Sequence, residues 1–114
     1  MELTREAIGG GHTRLRLQGD CNIYSAGELK AALLRALREP QPALELDLAG
    51  VTEIDTAGLQ VLMAAKNFAR AGGQQLQFAS HSAPVLELIE IYDLASWLGD
   101  PLIVPAAASQ PAAN

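Results

Sequence analysis

Apolar and polar residues alternate along TRLRLQ (Thr13 to Gln18), ALELDL (Ala43 to Leu48) and QLQFA (Gln75 to Ala79). A period of two sends successive side chains to opposite faces, so each run reads as a half-buried strand. Between these runs the period lengthens. Leu29, Leu33 and Leu37 recur four apart, with Glu28, Lys30, Arg35 and Arg38 on other faces, which predicts a helix ended by Pro40 and Pro42. Ser25 followed by Glu28 has the spacing of a capping box at its start. A second helix is predicted from about Thr56 to Ala71, with Gly72-Gly73 as its C-cap. Ser82 is placed to cap a third, with Pro84 in its first turn and Val85, Leu88, Ile89 and Tyr92 along it. Met1 to Ala7 reads as an edge strand, joined to the run at Thr13 by a turn at Gly9-Gly10-Gly11. Trp97 and Leu98 are expected as a short last strand or as coil.

A hairpin followed by alternating helix and strand gives an α/β domain, a mixed sheet with three to four helices packed on it. One domain is expected over residues 1–104. PAAASQPAAN, from Pro105, lacks periodicity and reads as a flexible Pro/Ala-rich tail over 105–114.

Composition sharpens this picture. Of 114 residues, 49% are hydrophobic but only 4% aromatic, so the core is expected to be aliphatic. A net charge of -5 without a basic cluster argues against nucleic acid or an anionic membrane as partner. No apolar run approaches the roughly 20 residues of a membrane span, and no leader pattern opens the chain. Cys21 is the single cysteine, which excludes an internal disulfide and fits a reducing compartment. A soluble cytoplasmic protein without direct membrane insertion is the expectation.

The second helix carries the most informative pattern. At about 100° per residue, Thr56, Gln60, Met63 and Asn67 fall on one stripe, flanked by Arg70. Val61, Leu62, Ala65 and Ala69 take the opposite arc, the core side. Met63 is thus an adaptable apolar side chain amid polar neighbours, a composition suited to a binding surface or to covering a nearby loop. Asp55 and Thr56 stand at the helix start, where either side chain can cap orphan amides. The same free amides and helix dipole could instead receive a phosphate, which adds about two negative charges.

GDCNIYSAGELKAALLRAL (Gly19 to Leu37) and LELDLAGVTEIDTAGLQVL (Leu44 to Leu62) resemble the STAS domain of bacterial anti-sigma-factor antagonists. The second carries the signature, an apolar strand followed by aspartate, small hydroxyl residues and Gly-Leu, and the resemblance continues through LQFASHSAPVLELIEIYDL. It implies a STAS-like fold and a non-catalytic regulatory role, partner switching. In that family the unmodified antagonist binds an anti-sigma factor that is also a serine/threonine kinase, phosphorylation of the signature hydroxyl releases the partner, and a phosphatase restores binding. The resemblance implies a partner surface of Asp55, Thr56, Ala57, Gly58, Gln60, Met63 and Asn67, with no cofactor. This chain departs from the family at one point. The usual acceptor immediately precedes the signature glycine, and here that residue is Ala57, with Thr56 the nearest hydroxyl. Either Thr56 is the acceptor, or the partner is bound without a phospho-switch. The alternatives are a STAS subunit of a lipid-transport ABC complex and a component of a chemosensory or two-component module.

Other constellations point less far. His12, His81 and Cys21 lack metal-ligand spacing, so no metal site is expected. Ser80-His81-Ser82 are adjacent residues at a strand-helix turn and rarely face one another as nucleophile and base. Neither a phosphate-binding glycine loop nor a nucleophile elbow is present in its required context. Asp20, Asp47 and Asp55 are candidates for one rim of carboxylates, read as solvated rather than as a magnesium site. A protein-binding module is therefore expected over an enzyme.

Overall fold

The structure is a computed structural model and describes residues 1–39, 41 and 43–98. The tail at 105–114 and the two prolines expected to stop the first helix lie outside the described residues. The chain runs β1 (Glu2–Ala7), β2 (Thr13–Cys21), α1 (Ala26–Arg38), β3 (Ala43–Ile54), α2 (Thr56–Ala71), β4 (Gln75–His81), α3 (Ala83–Ile91) and α4 (Ala95–Leu98). The strands form one sheet in the order β1-β2-β3-β4, antiparallel between β1 and β2 and parallel thereafter. The hairpin turns where expected, at Gly9, Gly10 and Gly11, all with positive φ that a side chain would oppose.

Alternation decides which face is covered. Leu15, Leu17, Leu44, Leu46, Leu48, Leu76 and Phe78 are buried on one side. They form a single core with Leu29, Leu33 and Leu37 of α1, Val61, Leu62, Ala65 and Ala69 of α2, and Val85 and Ile89 of α3. The intervening residues make the outer face. Register places Arg14 opposite both Glu6 and Glu45, and Arg16 opposite Asp47. The pairs follow: Arg14 with Glu45, Arg14 with Glu6 at 3.2 Å, Arg16 with Glu6 at 3.2 Å and Arg16 with Asp47 at 3.6 Å. Opposite charges directly across a ladder support the register more than they add stability.

Both parallel connections are helical, so α1 and α2 begin where β2 and β3 end. Helix α2 spans the expected residues and closes as a Schellman motif. Gly73 has φ 74°, its N–H donates to Arg70 O at 3.2 Å, and Gln74 N–H donates to Ala69 O at 2.9 Å. Three local expectations are corrected. Ser25 occupies the N-cap position of α1 in a helical conformation and caps no amide. Its hydroxyl turns back to accept from Asn22 N–H at 3.0 Å and donate to Asp20 O at 3.1 Å. Ser82 sits at the N-cap of α3, but its buried side chain makes no cap bond. Trp97 lies in a helical turn, α4, not a strand, held by Arg70 donating to its carbonyl at 2.8 Å.

Candidate functional site

The junction of β3 and α2 is built around Asp55. Its backbone is extended, ending the strand, while its carbonyl already accepts from Leu59 N–H at 3.0 Å. One carboxylate oxygen caps the helix, accepting from Gly58 N–H at 2.9 Å. The other accepts from Ile23 N–H at 3.0 Å, in the loop between β2 and α1. One side chain thereby fastens two elements far apart in sequence. The Gly58 amide holds its carboxyl below the usual carboxylate range, desolvation opposes this, and the Ile23 amide adds to it.

Gly58 is needed for close approach. A Cβ there would lie 2.3 Å from the Cys21 carbonyl oxygen and 2.8 Å from Cys21 Sγ. The first turn of α2 can therefore press against the end of β2 only without a side chain. Cys21 is fully buried below it. Burial, with the Asp55 charge a lesser cause, pushes its thiol up to about 11.

The residues expected to form the partner surface divide by orientation. Thr56, Gln60 and Asn67 are exposed, Met63 and Asp55 are half-buried, and Gly58 is buried. Half-buried Ala57 lines a groove of about 380 Å³ between α1 and α2, together with Ala26, Gly27, Lys30, Gln60, Val61 and Ala64. Thr56 is therefore turned out of the groove that Ala57 faces, by about 100°. Of the two readings of this helix start, capping is the one observed, with the Asp55 carboxylate on the Gly58 amide.

The three aspartates have different partners and form no common ligand set. Asp47 lies on the outer face with Arg16 and accepts from Ala49 N–H at 2.9 Å, whereas Asp20 accepts from the Thr52 hydroxyl at 2.8 Å. No group of three or more metal-ligating side chains occurs among the described residues. His12 is exposed beside the glycine turn, while His81 and Ser82 are buried. Among the described residues no helix is long and apolar enough to cross a membrane.

Sequence reasoning passed over one part of this end. Ile23 and Tyr24, in the loop fastened by Asp55, are 68% and 94% exposed. Two large apolar residues in succession between Asn22 and Ser25, where polar turn residues are the rule, were the available signal.

The family described as Mlab, STAS domain, matches residues 4–104. No curated protein matches. Among solved structures, the anti-sigma factor antagonist SpoIIAA in its unphosphorylated form aligns at TM-score 0.70 and 12% identity, covering 99% of this chain and 98% of that one. An anti-sigma factor antagonist from Mycobacterium paratuberculosis aligns at 0.72 and 20% identity, covering 97% and 93%. A sulfate transporter family protein from Wolinella succinogenes aligns at 0.70 and 19% identity, covering 87% and 80%. Identities this low speak to the fold, and the family match extends over most of the chain: it belongs to the STAS domain family.

Proposed function

We propose that the chain is a non-catalytic regulatory module that binds a protein partner through the start of α2, in the manner of an anti-sigma-factor antagonist. The observation that carries this reading is the exposure of Thr56 on a first turn held by Asp55 and Gly58, beside the α1/α2 groove. Nothing on this surface resembles a reaction centre; its resources are shape, apolar side chains and charge. Thr56 is the candidate phosphoacceptor, and a kinase-type anti-sigma factor or related signalling protein is the partner class.

A second reading has its own support. Ala57 puts a methyl group where the family's acceptor hydroxyl usually stands, and the matching family description is Mlab rather than an antagonist. Under this reading the chain is a permanent docking subunit, such as the STAS component of a lipid-transport complex, and uses the same surface without a switch.

Quantitative affinity capture from the native cells separates the readings. Wild type is compared with Thr56→Glu, Thr56→Ala and Gln60→Arg, and Thr56 is examined for phosphate. Switching predicts phosphothreonine at Thr56, with recovery of the partner lost in Thr56→Glu and kept in Thr56→Ala. Permanent docking predicts equal recovery in both Thr56 variants and loss in Gln60→Arg alone. Full recovery by all three variants contradicts the shared surface.

A further inference from the structure

The loop Asn22 to Ser25 has an ordered backbone and a solvent-facing apolar tip. Ser25 and Ala26 N–H donate to Asn22 O at 3.0 and 2.8 Å, and Tyr24 N–H donates to Asn22 Oδ1 at 3.0 Å. Ile23 N–H is held by Asp55, and Asn22 N–H by the Ser25 hydroxyl. So many bonds in so short a loop leave its backbone little freedom to fold the side chains inward. Ile23 and Tyr24 are nonetheless 68% and 94% exposed. Scattered exposed apolar residues are ordinary. An adjacent pair on a preorganised loop is a different case, because the ordering cost of a binding anchor has already been met within the fold.

The exposed side chains at the strand ends beside this tip are acidic. Asp20 and Glu53 are register partners at the ends of β2 and β3, both exposed, and Asn22 Nδ2 donates to Glu53 at 3.3 Å. Asp55 stays ionised beneath the loop. Two cations lie on this side, Lys30 lining the groove and the Met1 amino group beside Gly19, while Arg35, Arg38 and Arg70 stand in the last turns of α1 and α2, at the opposite end.

Resting on the proposed docking role of this end, we infer that Ile23 and Tyr24 are the anchor of the interface and that the partner surface they meet is basic and apolar. The aromatic ring and the isoleucine bury against the partner's apolar centre, and Asp20 and Glu53 meet its lysines or arginines at the rim, setting association rate and orientation. A phosphate on Thr56 would not repel such a partner. It would act by competing with the Asp55 carboxylate for the helix amides, loosening the bond from Ile23 and so the tip itself.

A random dodecapeptide phage library selected on the full chain tests this without knowledge of the partner. Enriched peptides are expected to combine lysine or arginine with an aromatic or branched apolar residue. Their synthetic versions should bind about tenfold or more weaker to Tyr24→Ser. Binding should weaken again to an Asp20→Asn, Glu53→Gln double variant and as salt rises from about 50 to 500 mM. All three positions are exposed, and unchanged amide spectra of the variants certify folding. Peptides without basic residues, or basic peptides indifferent to Tyr24→Ser but lost with Gln60→Arg, overturn the inference and spare the docking role. Peptides indifferent to both substitutions, or no enrichment, overturn both.

Discussion

Asp55 divides its two carboxylate oxygens between two elements, and that division was only half legible. A D-T-x-G segment ahead of an apolar helix announces a cap, but the bond to Ile23 depends on β2 and β3 lying side by side in register. Because the folded carboxyl titrates below its unfolded value, its contribution to stability is complete above about pH 4 and fades as pH falls through the depressed value. Acid titration of unfolding should therefore show wild type more stable than Asp55→Ala near neutrality, with the gap closing at low pH. A gap constant with pH would remove the charged cap from the account. Gly58→Ala should destabilise by about 1–3 kcal/mol in urea unfolding, as overpacking does. Adding Cys21→Ala should not restore stability, since the closest obstruction is the Cys21 backbone oxygen. Cys21 itself should resist alkylation at pH 8 until the protein unfolds, being buried with a thiol pushed up to about 11.

At the scale of elements, periodicity located the strands and α2 because each buries one face only. Leu62, on the predicted core arc of α2, is buried against the sheet, and Leu62→Ala should cost about 2–5 kcal/mol in the same assay. A loss under about 1 kcal/mol would mean that α2 packs more loosely than described. The pattern was less informative where bonding is not periodic. Ser25 matched a capping box, yet Asn22 organises that turn, because the loop must also reach Asp55. The exposure of Ile23 and Tyr24 was hidden for the same reason. Composition marks them for a core, and only the tied backbone turns them outward. Met63, on the stripe with Thr56, Gln60 and Asn67, is half-buried and stands less far out than those three.

Across the whole molecule, the sheet topology assembles the candidate site. Parallel β2 and β3 with helical crossovers deliver two strand ends and two helix starts to one place. The resulting end combines a tied apolar tip, an exposed hydroxyl and acidic side chains, while the outer sheet face pairs its own charges. Occupancy of that end by a protein is the central claim, and site-specific photo-crosslinking in the native cells tests it most directly. A photoreactive residue is placed at Tyr24 or Thr56, or at exposed Gln77 of β4 as the comparison. The account predicts covalent capture of one and the same protein from the first two positions and not from the third. Capture from position 77 alone, or from none of the three, would contradict it.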